Sequence, residues 1–281
     1  MLVAGCAQPT PGRPLADQEA AATANEEAFE QGLQAFRDHF ANDTENEHAT
    51  AYNYINYGDK KLTTEHESFQ LGMPPVILTK RRYHDDGDWS QILTPPDLEF
   101  DYIELDEDHE DLAPTPWVST PTRLKGDFHP CYVLTSWLAC KLDTAISQTK
   151  LSAPDRQPME ARVTDDGFEV VTGATLGEML AQLFITLSEE EQADLTKPML
   201  DHMVPVTIQF DENMEFKGFE LSAKISDGDA PTLEIQLGYE TVGESTEDDF
   251  PEVPEATDVT AITDPAAADL FWERFNTSGT E

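Results

Sequence analysis

Three consecutive segments in the carboxyl-terminal half alternate apolar with mostly polar residues, and this period of two constrains the fold more than any other feature. Turn-forming residues separate the segments at 211–213 and 227–229. Strict alternation buries one face of a strand and leaves the other to solvent or a partner, so the pattern predicts three antiparallel strands. Their apolar positions are Val204, Val206, Ile208 and Phe210, then Phe219, Leu221, Ala223 and Ile225, then Leu233, Ile235, Leu237 and Tyr239.

The amino-terminal half begins with a helical pattern and continues with strand-like segments. Phe29, Leu33, Phe36 and Phe40 have the spacing of an amphipathic helix. Residues 50–105 are rich in Tyr, Thr, Val and Ile and predict about five strands, among them a hairpin of 76–83 with 89–94. The acidic and proline-broken stretch that follows is expected to interrupt the sheet.

Four further helices and one hairpin complete the prediction. An apolar stripe over 134–146 indicates a helix, and residues 160–172 resemble a hairpin. Two S/T-x-x-E capping boxes, at Thr175 and Ser188, predict two more helices, the first running to Leu187 on a wide apolar face. Residues 243–263 lack periodicity, and a short last helix begins at Asp264-Pro265.

The net charge excludes one large class of function. Seventeen basic and 56 acidic residues give a formal charge of −39. Such a field repels phosphate backbones, so we expect no nucleic-acid partner. With 39% hydrophobic residues the chain still carries enough apolar surface to build a core.

The first of three cysteines lies in a lipobox-like sequence. Leu2 and Val3-Ala4-Gly5-Cys6 resemble the lipobox of bacterial lipoproteins, which implies lipidation at Cys6. Residues 7–25 are rich in Pro and Ala, as is typical of a tether. Only five residues precede Cys6, whereas a secretory signal needs an apolar run of ~7 to 15 residues. The alternative is a cytosolic protein that begins with an apolar tetrapeptide and a free cysteine.

The other two cysteines, Cys131 and Cys140, are close in sequence. Outside the cytosol two nearby thiols usually pair, so we predict a disulfide between them. Nine residues of continuous helix would separate the Cα atoms by ~13.5 Å, but a bridge needs them within ~7 Å. Cys131 is therefore expected in the loop after Pro130, with the helix beginning near Thr135 or Ser136.

The order of elements predicts an α+β fold, with helices packed on one side of a curved, half-barrel-like antiparallel sheet. We expect a lipobox remnant and flexible tether over 1–25, one α+β domain over 26–256, and a tail with a short helix over 257–281. This order is similar to that of the carrier lipoproteins of the LolA and LppX/LprG type. In those proteins a half-closed barrel holds acyl chains between its concave face and its helices.

The resemblance implies an apolar ligand site under a helical lid. Its lining would be Leu176, Met179, Leu180, Leu183, Phe184, Ile208, Phe219, Leu221, Leu233 and Ile235. The same stripes would equally fill a closed, fully packed core.

Sequence signatures of catalysis are missing. No zinc, EF-hand, nucleophile-elbow, P-loop or dinucleotide motif is found, so we expect no metal, no cofactor and no enzyme activity. Because the chain has 56 acidic residues, a pair of them in the sequence does not indicate a catalytic acid and base. An enzyme would instead require Ser, His and Asp to converge in the fold.

Two hypotheses of function remain. The first is a monomeric protein, anchored by lipid on the extracytoplasmic face of the cell membrane, that binds or shuttles a lipid or another apolar ligand. The second is a structural or interaction lipoprotein of the envelope with a closed core and no small ligand. A ligand-sized cavity between the Leu176–Leu187 helix and the sheet would distinguish them.

Overall fold

A computed structural model describes residues 18–41, 46–58, 60–83, 88–97, 99–122, 131, 133–228 and 230–277. Within these ranges the chain forms six α-helices and one twelve-stranded sheet. The helices are α1 (Gln18–Ala41), α2 (Leu134–Ser152), α3 (Leu176–Ala181), α4 (Glu189–Ala193), α5 (Lys197–Leu200) and α6 (Pro265–Thr277).

The strands occur in two runs and a short last strand. The first run is β1 (Asn46–Tyr57), β2 (Lys60–Leu71), β3 (Val76–Tyr83), β4 (Ser90–Thr94), β5 (Phe100–Glu104) and β6 (Trp117–Pro121). The second is β7 (Glu160–Thr164), β8 (Gly167–Thr175), β9 (Met203–Phe210), β10 (Phe216–Ile225) and β11 (Leu233–Gly243), and β12 is Val259–Ala261.

The strand order across the sheet is β12-β6-β5-β4-β3-β2-β1-β11-β10-β9-β8-β7. Each run is an antiparallel meander, and the two meanders join where β1 pairs with β11, with Ile55 opposite Ile235. β12 pairs with β6 in parallel. The sheet is open because β12 and β7 stand at its two ends. The α+β class with a mostly antiparallel sheet is confirmed.

Apolar side chains form one large core and two smaller clusters. The large core contains the predicted helical stripe Phe29, Leu33, Phe36 and Phe40, together with residues of α2, α3, β1 and β8–β11. A second cluster joins three aromatic residues of α6, Phe271, Trp272 and Phe275, to Ile103 and Val118 of the first meander. The third consists of Phe69, Leu78 and Leu93.

The structure confirms the local predictions made from alternation and from the cysteines. The three predicted strands of the carboxyl-terminal half are β9, β10 and β11, and the predicted hairpin is β3 with β4. Cys131 and Cys140 form a disulfide with a Cα–Cα distance of 5.9 Å. Cys131 precedes α2, which begins at Leu134, one residue before the predicted start.

Elements that depend on distant partners differ from the sequence expectation. β6 lies in the stretch that was predicted to interrupt the sheet, and β12 lies in the stretch without periodicity. The two strands pair with each other although more than 140 residues separate them in sequence. α1 begins at Gln18, so residues 18–25 of the expected tether are helical. α6, in the expected tail, packs on β5 and β6. The division into domains itself stays a prediction, and Cys6 lies outside the described residues.

The described helices include none whose length and hydropathy suit the crossing of a membrane.

Candidate functional site

Residues of β1, β2 and β3 that share one face of the sheet form the floor of the candidate site. Cross-strand register places Ile55 opposite Leu62, and Ala51 opposite His66. His66 in turn lies opposite Arg81. We call this the inner face, because Ala51 and Ile55 belong to the core that α1 and α2 complete.

A cleft of about 160 Å³ lies between the inner face, α2 and the segment that follows α3. Apolar side chains form most of its wall, while Asn53 and His66 stand together on the sheet side. The lining residues are Asn53, Ile55, Leu62, His66, Trp137, Leu138, Leu183, Phe184 and Thr186. The cleft is therefore amphipathic.

The wall opposite the sheet exists because α3 ends earlier than its apolar periodicity predicts. Leu183 adopts the left-handed conformation with φ of 59°. Its N–H donates to the carbonyl of Leu180, and the N–H of Phe184 donates to that of Met179. This is a Schellman motif, usually closed by glycine. A leucine at this position does not indicate a helix end in the sequence. The predicted helix over Leu176–Leu187 is therefore wrong beyond Ala181.

The side chains of this segment differ sharply in exposure. Leu183 is 56% exposed, whereas Phe184 is buried beside Met179 in the large core. A non-glycine residue in the left-handed region costs about 1 to 2 kcal/mol and concentrates at functional segments. Leu183 is therefore a strained, exposed apolar residue at the mouth of the cleft.

Two polar atoms at the sheet side of the cleft are buried without a hydrogen-bond partner among the described residues. They are Oδ1 of Asn53 and Nδ1 of His66. Burial, and secondly the positive charge of Arg81, lower the pKa of His66 to about 3. The imidazole is therefore neutral at physiological pH, and its Nδ1 has no hydrogen-bond partner among the described residues.

Arg81 lies opposite His66 on the neighbouring strand β3 and does not line the cleft. Its guanidinium lies 4.8 Å from the ring centroid of Tyr83 and 4.9 Å from that of Phe275. Burial lowers the pKa of Arg81, while Tyr83 and Asp106 act in the opposite direction. The cation is thus held among aromatic rings beside a neutral histidine.

Several other buried polar side chains in the described part of the chain have evident partners. The carboxylate of Glu47 accepts from the hydroxyl of Tyr239 at 2.7 Å and lies 3.2 Å from Nε2 of His39. Burial and Glu47 raise the pKa of Tyr239 well above 10. Asp101 accepts from Thr94 at 2.7 Å. These groups are satisfied within the fold, as buried polar groups usually are.

The cleft differs from these groups because two of its buried polar atoms have no hydrogen-bond partner among the described residues. The hydroxyls of Tyr57 and Thr172 also lack partners, but neither residue lines the cleft. A wider groove of about 360 Å³ lies between α1 and α2 beside the disulfide. Arg37 and Asp143, the charged residues among those described in its lining, form an ion pair with each other at 2.8 Å.

Nine of the ten sequence-predicted ligand residues are buried in the large core. Leu183 is the tenth, and only Leu183 and Phe184 line the cleft. The buried nine are Leu176, Met179, Leu180, Phe184, Ile208, Phe219, Leu221, Leu233 and Ile235. The cleft lies over β1 and β2, whereas the expected ligand site was to lie over the strands β9–β11.

Sequence reasoning missed Asn53, His66 and Arg81. A signal was present in β2, because residues 63–68 are polar at every position although the strand lies between two others. A central strand that is polar on both faces indicates that its inner side meets something other than an apolar core.

A search of the described residues finds no group of three or more His, Cys, Asp or Glu side chains that could hold a metal ion. Comparison with protein-family models and with curated protein sequences gives no match.

Proposed function

We propose that this protein is a lipid-anchored, extracytoplasmic binding protein that holds the apolar chain of an amphiphile in the cleft between β1, β2 and residues 183–186. The observation that carries the proposal is a mostly apolar cleft that contains two buried polar atoms without a hydrogen-bond partner in the described part of the chain. Ligand sites are typically apolar with a few placed polar groups, and this cleft has that composition. No catalytic role is proposed for it.

The sheet topology supports the shape that such a carrier needs. Two meanders joined at β1 and β11 give one continuous sheet whose ends remain unpaired with each other. Residues of α1, α2 and α3 contact the inner face in the large core. We propose that the sheet curves around these helices as a half-barrel, as the resemblance to carrier lipoproteins implies.

Ligand entry requires the cleft to widen. Its volume of about 160 Å³ is below the ~300 to 1,000 Å³ of sites for drug-sized ligands. The segment after α3 is the element suited to move, because it carries exposed Leu183 in a strained conformation. We propose that residues 182–187 act as a lid that swings away from Ile55 and Leu62 when the chain enters.

A closed structural lipoprotein is the second candidate. It is favoured by the burial of nine of the ten predicted ligand residues in one packed core. In that case the cleft would hold only water bound to Asn53 and His66, and the protein would act through its acidic surface on an envelope partner.

Uptake of a fluorescent fatty acid separates the two candidates. Leu62→Trp fills the cleft, and Leu151→Trp, at an exposed site on α2 that does not line it, is the matched control. The carrier predicts uptake by the parent and by the control, and loss of uptake in Leu62→Trp without loss of melting temperature. No uptake by the parent, with a lower melting temperature in Leu62→Trp, would support the closed core.

Anchoring is tested separately from ligand binding. Two or three acyl chains hold a protein stably on a membrane, whereas one chain does so only marginally. Cys6→Ser should move the protein from the membrane fraction to the soluble fraction of cells that express the gene with its upstream reading frame. A membrane fraction unchanged by Cys6→Ser would argue against the lipobox.

A further inference from the structure

We propose that the cleft binds a neutral hydroxyl head group, which donates a hydrogen bond to Oδ1 of Asn53 and accepts one from Nδ1 of His66. This inference rests on the proposed function, since it specifies which amphiphile the cleft takes. It assigns the hydroxyl to the sheet side of the cleft and the apolar chain to the wall formed by Leu183 and Phe184.

Asn53 and His66 share one face of two adjacent strands. Asn53 of β1 lies opposite Thr64 of β2, two residues from His66, and such diagonal neighbours are about 7 to 8 Å apart. Both side chains line the cleft, and Oδ1 of Asn53 and Nδ1 of His66 are buried there without a partner from the described part of the protein. One small group between the two side chains can therefore reach both atoms.

The hydrogen-bonding capacity of the two atoms matches that of a hydroxyl. The amide oxygen of Asn53 only accepts hydrogen bonds, whereas Nδ1 of a neutral imidazole is a donor or an acceptor according to the tautomer. A hydroxyl has one proton to donate and two lone pairs with which to accept. It can therefore satisfy Asn53 and the tautomer of His66 that carries its proton on Nδ1 at the same time. An ether oxygen cannot, because it has no proton to donate to Asn53.

The lining of the cleft favours a head group without charge. Its described residues include no Asp, Glu, Lys or Arg, and the pKa of His66, lowered to about 3 by burial and secondly by Arg81, keeps the imidazole neutral as well. A charged head group would lose its hydration in the cleft without gaining a counter-charge. An anion would also bring its oxygens against the oxygen of Asn53, and an ammonium would approach Arg81, which lies opposite His66 on β3.

The distribution of polar and apolar side chains sets the orientation of the ligand. Asn53 and His66 stand on the inner face of the sheet, whereas Leu183 is 56% exposed at the mouth of the cleft. The hydroxyl therefore enters first, and the apolar chain lies against Ile55 and Phe184 on its way to the mouth. A hydroxyl is the smallest polar head group, which suits a cleft of about 160 Å³.

The test compares head groups on the same eight-carbon chain. Octan-1-ol, its methyl ether 1-methoxyoctane, octanoate and octylammonium are titrated into the parent protein at neutral pH by isothermal calorimetry, each below its solubility limit and critical micelle concentration. Octan-1-ol should bind about tenfold or more tightly than the ether, because the ether leaves the buried oxygen of Asn53 unpaired. Octanoate and octylammonium should also bind more weakly than octan-1-ol, since each must bury a charge.

Variants then assign the effect to the site. Asn53→Leu removes the acceptor and should bring octan-1-ol and the ether to about equal affinity. Asn56→Leu is the matched control and should keep the preference, since Asn56 lies on the opposite face of β1, where its amide donates to Glu234 at 3.3 Å, and does not line the cleft. Because Asn53→Leu could unfold, the ¹³Cγ resonance of Asn53 is followed in the parent protein, where it should move downfield with octan-1-ol and much less with the ether.

Each outcome bears on a different level of the proposal. Equal affinity for alcohol and ether, or tighter binding of either ion than of the alcohol, overturns the hydroxyl head group and leaves the apolar-ligand function standing. Binding of none of the four ligands overturns both. A preference for the alcohol that survives Asn53→Leu in a folded variant overturns the assignment to this site, as does an Asn53 resonance that octan-1-ol leaves unmoved.

Discussion

The imidazole of His109 donates from Nε2 to the main-chain carbonyl of Phe275 at 3.0 Å. His109 is fully buried in the 3-10 turn Glu107–Leu112, and Phe275 belongs to α6. The same ring contacts the carboxylate of Asp106 through Nδ1. One side chain therefore ties the last helix to the loop between β5 and β6, 166 residues away in sequence.

His109→Leu should destabilise the protein by about 1 to 3 kcal/mol, because it leaves a buried carbonyl and a buried carboxylate without their donor. The change would be measured by urea denaturation and by the rate of proteolysis within residues 262–277. Arg274→Ala is the control, since its ion pair with Asp111 is exposed and contributes little. Equal effects of the two substitutions would contradict the role assigned to His109.

Removal of the disulfide should weaken the fold through the unfolded state. Cys131 and Cys140 enclose a loop with a sequence separation of nine, for which the chain-entropy relation gives roughly 2 to 3 kcal/mol. The double substitution to serine should lower the free energy of unfolding by that amount, measured by chemical denaturation. Dithiothreitol should lower the stability of the parent equally and leave the double variant unchanged.

His66 should make the protein less stable in mild acid. Its pKa is about 3 in the folded state and about 6.5 when unfolded. Between these values the unfolded state binds more protons, so stability rises with pH by up to about 1.4 kcal/mol per unit. The contribution is complete above pH 6.5 and is lost as the pH falls towards 3.

The parent should therefore lose about 2 kcal/mol more than His66→Gln between pH 7 and pH 5. Urea denaturation of both proteins at the two pH values measures the difference. His202→Gln, at an exposed histidine, is the matched control. Identical pH dependence of the parent and His66→Gln would show that the imidazole is not held neutral.

Gly218 should not tolerate a side chain. A Cβ there would lie 2.3 Å from the carbonyl oxygen of Tyr239, at the irregularity where β10 pairs with β9. Main chain cannot move aside as a flexible side chain does, so Gly218→Ala should cost about 1 to 3 kcal/mol. Gly243→Ala, where nothing lies within 4 Å, should be close to neutral in thermal denaturation.

Leu183→Gly should stabilise the protein, which is an unusual result for a leucine. Glycine relieves the left-handed strain, and the leucine side chain is more than half exposed, so little burial is lost. We expect a gain of up to about 1 kcal/mol. Leu180→Gly, one turn earlier and buried, should be strongly destabilising. A loss of stability in Leu183→Gly would mean that this side chain packs firmly against the other residues that line the cleft.

Local periodicity and local chemistry were enough to predict several features of the fold. Alternation gave β9, β10 and β11, the stripe from Phe29 to Phe40 gave α1, and two thiols nine residues apart fixed both the disulfide and the loop position of Cys131. These signals are strong because the geometry of a strand, a helix or a disulfide restricts which residues can stand at each spacing.

Features that depend on the pairing of distant segments became visible only in the three-dimensional fold. β6 forms because β5 and β12 pair with it on either side. α3 ends at Ala181 because the N–H of Phe184 donates to the carbonyl of Met179, although leucine and not glycine stands at position 183. His66 and Arg81 became a pair through the register of β2 with β3, which no spacing in the sequence encodes. Register is set by the whole sheet, so the polar end of the cleft could be found only after the strands were in place.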